Sequence, residues 1–240
     1  MGWHSCCSIE LLMARRFPWI TWAIGIGLVY LLVPGSLKAG TPMEELRLAA
    51  EKMLTVLKDP RLKSDARREE RREKLKATIY PNFDFREMAK RALGPNWQRR
   101  TPQERNEFVK GFTDLLEASY SDKLESYNGE KIVFMREHVD ADISEIGSKI
   151  VAGKGEVFSV DYRLHRADGR WKIYDVVIEN VSLVNNYRTQ FHRVLAHSSF
   201  EDLLDRMRKK RLDTMAKTGD RREKLQLLAI FSASGWRRGP

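Results

Sequence analysis

Apolar and polar positions alternate between two spacings along this chain, helical in the first half and strand-like after residue 128. Leu46, Ala49, Met53, Val56 and Leu57 recur at helical spacing and predict an amphipathic helix that stops before Asp59-Pro60. The next stretch, SDARREERREKLKATIY, interleaves acids and bases. It reads as a solvated helix carrying i,i+4 ion pairs, with nucleic-acid binding as the rival reading. Asp84 and Glu87 predict a capping box, and Phe83 and Met88 a hydrophobic staple, for a short helix ending at Gly94-Pro95. Thr101, Pro102 and Glu104 give a second helix start. The helix it opens carries Phe108, Phe112, Leu115, Leu116, Tyr120 and Leu124 on one stripe, which is either core or the wall of a cavity.

Beyond Asn128-Gly129 the pattern predicts strands, over Lys131 to Arg136 and Ser148 to Ala152. Gly153-Lys154-Gly155 is a turn; no helix follows it, and the other residues of a phosphate loop are missing. Phe158, Val160, Tyr162 and Leu164 then alternate with Ser159, Asp161, Arg163 and His165, giving one apolar and one wet face. Asp168-Gly169 is a hairpin turn. The following run, Trp171 to Val181, is apolar on both faces around Val176-Val177-Ile178, so both need cover. Ser182 caps a helix presenting Val184, Tyr187, Phe191, Val194 and Leu195. A last helix starts near Ser198-Ser199 and presents Phe200, Leu203, Leu204 and Met207. This order predicts an α+β domain with a curved antiparallel sheet covered on one side.

Hairpin register decides which side chains share a face. A tight two-residue Asp-Gly turn puts Asp175 and Glu179 on the face that carries Tyr162 and Phe158, where unpaired carboxylates are costly. A three-residue turn with Gly169 as a bulge aligns Tyr162 with Tyr174, Val160 with Val176 and Phe158 with Ile178. That register is the expected one, because it leaves Asp161, Asp175 and Glu179 on the other face.

The stretch WKIYDVVIENVSLVNNYRTQF resembles the signature of the MlaC family, periplasmic phospholipid-binding proteins also known as toluene-tolerance proteins. FDFREMAKRALGPNW and TPQERNEFVKGFTDLLEASYSDKLESY are similar to the same family, and together the matching segments run from about Met43 to Lys210. One departure is Asn180, where many members carry Gly before the Val-Ser. The resemblance implies a cystatin- or NTF2-like sheet with a helical layer enclosing an apolar lipid cavity. It also implies phospholipid as cargo, no cofactor, and two partners: an outer-membrane lipoprotein complex and an inner-membrane ABC transporter.

Arg15-Arg16 precede an uncharged stretch from Phe17 to Leu37, broken by Pro34-Gly35 and followed by the small residue Ala39. This reads as a secretory signal over 1–39, with Met13 as a second candidate start and an uncleaved membrane anchor as the rival. Pro18, Gly25, Gly27 and Pro34 make a poor membrane helix and favour the signal. The expected organisation is then 1–39 signal, 40–212 lipid-binding domain and 213–240 basic tail. Both cysteines, Cys6 and Cys7, lie in the leader, so the exported product has no thiol chemistry. Among the 240 residues 32% are charged and 42% hydrophobic, as in a globular domain. The net charge of +10 suits an anionic membrane surface or nucleic acid, and export counts against the latter.

Residues for chemistry are sparse. His138, His165, His192 and His197 share no ligating motif; His192 and His197 are off a common helix face. No HExxH, paired CxxC or GxSxG occurs. Asp161 and Asp175 are expected as surface carboxylates near Arg163 and Lys172 rather than an acid–base pair. The expected lipid contacts are Phe158, Val160, Tyr162, Leu164, Tyr174, Val176 and Ile178 on the sheet. Val181, Leu183, Tyr187 and Phe191 continue the wall, closed by Phe112, Leu116 and Tyr120. The rivals are an enzyme of the same cone-shaped fold class, which needs ionisable groups inside the cavity, and a basic interaction module.

Overall fold

The computed structural model describes residues 40–152 and 155–209. The expected signal, with its cysteines, and the basic tail lie outside the described residues, as do Gly153 and Lys154 of the expected turn. Helix starts follow their capping side chains. Thr41 and Glu44 exchange hydrogen bonds as a complete capping box that opens α1 (Pro42–Lys58), and Asp59 ends it. A second complete box, Thr101 with Glu104, opens α4 (Pro102–Glu125). Between them lie α2 (Arg68–Ile79) and α3 (Phe85–Leu93), followed by a 3-10 stretch, Gly94–Arg99. At α3 the box is half-formed: the Asp84 carboxylate accepts from the Glu87 N–H, while the Asp84 N–H donates to the Ile173 carbonyl. Glu87 instead holds Lys90 and Arg91. Ser182 and Ser199 cap α5 (Leu183–His197) and α6 (Phe200–Arg208).

The sheet is an antiparallel meander of β1 (Lys131–Asp140), β2 (Ile143–Val151), β3 (Val157–Ala167), β4 (Arg170–Ile178) and β5 (Val181–Ser182), each pairing with its neighbours in sequence. β1 and β2 are longer than the alternation predicts. Past Phe134 the edge strand β1 is exposed on both faces, so nothing enforces a period of two.

The expected hairpin register is overturned. Ala167 opposes Arg170 across a two-residue turn in which Asp168 and Gly169 both have positive φ, 51° and 75°. Such turns match the twist of the flanking strands. The parity problem is solved elsewhere, by a bulge: Leu164 opposes Ile173 but Arg163 opposes Asp175, leaving Tyr174 as the extra residue. Tyr162 therefore faces Val176 and Val160 faces Ile178, with Asp161 and Asp175 on the other side. Glu179 and Asn180 form a second tight turn, φ 48° and 67°. Asn tolerates this left-handed backbone, so the residue standing where glycine is common keeps the turn.

Two cores hold these layers. The helical core joins α3, α4, α5 and α6 through Met88, Trp97, Phe108, Phe112, Phe191 and Leu203. Its aromatic rings meet edge to face: Phe108 with Phe191 at 5.3 Å, Phe112 with Tyr187 at 5.2 Å. The sheet core gathers Leu46 of α1 with Ile146, Leu164, Trp171 and Ile173. Phe83 packs against both and bridges to Ile173. Phe112→Ala, at a fully buried position in the helical core, is expected to cost about 3–5 kcal/mol of unfolding free energy in urea titrations followed by circular dichroism.

Candidate functional site

Where the two cores fail to meet, the sheet's apolar face and the helices line a half-open pocket of about 420 Å³, a volume typical of small-ligand sites. Its floor is the inward face set by the β4 bulge: Ile150, Phe158, Val160, Tyr162, Ile173, Val176 and Ile178. Its roof is α1, through Leu46, Met53 and Leu54, with Leu75 and Ile79 of α2. Leu116, Tyr120 and Leu124 of α4 and Leu183 of α5 close it. Burial pushes the Tyr162 hydroxyl up, with a hydrogen bond to Ser148 acting against it.

The structure brings Phe158, Val160, Tyr162, Val176, Ile178, Leu183, Leu116 and Tyr120 together on this wall. Other expected wall residues stand elsewhere. Phe112, Tyr187 and Phe191 are buried in the helical core. Residues four apart on a helix rotate by about 40°, so the single stripe on α4 winds from the core side at Phe108 and Phe112 to the pocket side at Tyr120 and Leu124. Leu164 is packed in the sheet core beside Ile173. Tyr174, as the bulged residue, turns to the opposite side against α3, with Arg91 lying 4.0 Å over its ring. Val181 pairs with Ile178 at the end of the sheet and is outside the lining. The roof was missed as a wall. Its helical spacing marked an amphipathic helix, but nothing local says what an amphipathic helix faces.

One side of the pocket is ionic. Lys76 pairs with Glu117 at 2.7 Å, and the Tyr80 hydroxyl donates to the same carboxylate at 2.7 Å. Arg68, Arg71 and Arg72 of α2 converge on Glu125 of α4, Arg68 at 2.9 Å and Arg71 at 3.2 Å. Burial pushes the Glu125 carboxyl up, but the three arginine hydrogen bonds outweigh it and hold it below the ordinary range. Glu117 is likewise lowered, burial opposing its bonds from Lys76 and Tyr80. The mixed-charge stretch therefore does two things. It carries the expected local pair, Lys74 with Glu70 at 2.8 Å, and it clamps α2 to α4.

Asp175 is a correction: it is buried, not a surface carboxylate. It accepts from Arg163 at 3.2 Å, from the Ser182 hydroxyl at 2.7 Å and from the Val184 N–H at 3.0 Å. These bonds pin the start of α5. Asp161 pairs with Arg136 at 3.0 Å, and His165 with Asp84 at 2.9 Å. Among the described residues no three His, Cys, Asp or Glu side chains come together as a metal site. No helix among them is long and apolar enough to cross a membrane.

The family model described as MlaC protein matches residues 47–209. The toluene tolerance protein ttg2D of Pseudomonas putida is 26% identical over 119 residues, covering 49% of this chain and 55% of that protein, so the chain spans about half of that relative. The intermembrane phospholipid transport system binding protein MlaC of Haemophilus influenzae is 21% identical over 194 residues, 79% of this chain and 91% of that one. Among solved structures, the phospholipid-binding protein from Ralstonia solanacearum, in complex with a phospholipid, superposes with a TM-score of 0.63 at 22% identity. That match covers 72% of this chain and 98% of that one.

Glu125→Gln is expected to lower stability at pH 7 by about 1.5–3 kcal/mol. Because the folded carboxyl titrates below its ordinary value, its contribution is complete above about pH 4.3 and is lost as pH falls through the folded value. The gap between wild type and variant should narrow in acid, read from urea midpoints at each pH. A gap that is constant down to about pH 2.5 contradicts this.

Proposed function

We propose, for a chain that belongs to the MlaC family, that it is a periplasmic carrier moving phospholipid between the outer and inner membranes. The observation that carries the reading is the pocket left open between the sheet and α1, α2 and α4, apolar on its floor and roof. Transfer physics supports it. Each methylene removed from water is worth about 0.8 kcal/mol, so two long acyl chains held in water carry a penalty of roughly 20 kcal/mol or more. A carrier must enclose the tails and can leave the headgroup wet. The relatives named for phospholipid transport and the neighbour holding a phospholipid support the same cargo.

The wall residues proposed to contact the tails are Phe158, Val160, Tyr162, Val176 and Ile178, with Leu116, Tyr120 and Leu183 opposite. Of the charged side chains of the lining, Arg72, Lys76, Glu117 and Glu125 are held in ion pairs and Glu130 accepts from the Asn128 N–H, which suits a container better than a catalyst. Segment 1–39 is proposed as a cleaved export signal. An outer-membrane lipoprotein complex and an inner-membrane ABC transporter are the proposed donor and acceptor, and the basic surface favours docking on anionic lipid.

Protein purified without 1–39 and extracted with organic solvent should yield phospholipid at fixed stoichiometry. Val176→Glu and Tyr162→Glu should each reduce that lipid at least tenfold while circular dichroism shows the fold retained. Lipid-free wild type, or both folded variants fully loaded, would refute the carrier.

A further inference from the structure

The bulge that turns Tyr174 away from the chamber sets its ring in a second pocket, of about 440 Å³, on the opposite side of β3 and β4. Residues of two of the three stretches that carry the family resemblance, 83–97 and 171–191, meet there. Lys90, Arg91, Gly94 and Trp97 come from the first, and Tyr174, Asp175, Asn185 and Arg188 from the second, with Arg163 between them. Four cations line the pocket, and three carboxylates answer them. Glu87 holds Lys90 and Arg91, both at 2.9 Å; Glu145 and Asp175 hold Arg163 at 3.4 and 3.2 Å. Arg188 is the cation without an ion-pair partner among the described residues.

Arg188 is exposed and lies against Gly94. Its guanidinium lies over Gly94, so close that a Cβ there would stand 3.1 Å from Nε. Gly94 has a φ of +60°, which disfavours any side chain in any case. The α5 N-terminal N–H groups of Val184 and Asn185 are already taken, by Asp175 and Ser182. Arg188 is therefore the lining cation left open to a negative charge, and an arginine fork binds planar oxyanions well. Beside it the edges of Trp97 and Tyr174, whose rings lie under arginines, form an aromatic wall with Val184, and Gln98 and Asn185 offer amides able to bond a peptide backbone.

We propose that this bay is a docking site for an acidic peptide segment of a partner protein. One Asp or Glu carboxylate seats on Arg188, and an adjoining apolar side chain rests on the aromatic wall. A docked partner here leaves the chamber on the other side of the sheet unobstructed. The inference does not depend on what the chamber holds.

The test uses the full chain labelled with nitrogen-15 and two blocked peptides, acetyl-Gly-Glu-Phe-Gly-amide and its Gln counterpart. The Glu peptide should shift the Trp97 indole and Arg188 Nε–H signals to saturation and leave the Trp171 indole unmoved. The Gln peptide, and the Glu peptide on Arg188→Ala, should bind at least tenfold more weakly. Equal binding of the two peptides, or no loss in Arg188→Ala, overturns the proposal. So does Arg188-dependent binding to phosphatidylglycerol vesicles without peptide binding, which would assign the bay to a membrane headgroup. Arg188→Ala should keep its phospholipid load, so failure of the docking site and failure of the carrier are read separately.

Discussion

One extra residue in β4 governs the arrangement of the whole sheet. Side chains on a strand alternate with a period of two, and a tight turn fixes which of them share a face. Without the bulge at Tyr174, the Asp168-Gly169 turn would carry the Asp175 carboxylate to the apolar side, where nothing could pair with it. With the bulge, Val176 and Ile178 look into the pocket and Asp175 looks out to Arg163, Ser182 and the first turn of α5. The same carboxylate thus fixes α5 against β4, and α5 brings Tyr187 and Phe191 to the helical core. Strand parity, helix anchoring and core packing are consequences of one insertion.

A void in a protein of this size needs walls that cannot collapse onto each other. Here the wall formed by α4 is secured by the Phe108–Phe112–Phe191 cluster, and the sheet by Trp171, Ile173 and Leu164, with Leu46 of α1 packed among them. Phe83 ties the two together at one end. The Glu125 cluster ties α2 to α4 across the pocket's flank. Packing energy is collected on both sides, and the space between them stays unfilled by the protein's own side chains.

Much of this was legible in the sequence because it is written in local signals. Thr101-Pro102-Glu104, Ser182 and Ser199 announce helix starts, and the alternation from Phe158 to Leu164 announces an inward face. What was not legible depends on comparisons between distant segments. Asp-Gly turns of two or three residues look alike in one dimension, and a bulge at Tyr174 leaves no mark on the alternation of a strand that is apolar on both faces. The stripe on α4 reads as one face until its slow rotation is followed over five positions. Asp175 looks like any exposed acid until α5 is folded onto it.

Because each strand pairs only with its neighbours in sequence, the meander is complete without α1. That helix reaches the sheet through side-chain packing and a few long-range bonds, such as the Glu45 carboxylate accepting from the Trp171 N–H and the Met43 N–H donating to Glu137. Lifting it away would break no inter-strand ladder. The architecture therefore separates a sheet joined by backbone ladders from a cover joined to it by side chains, and α1, the first helix of the described residues, supplies that cover.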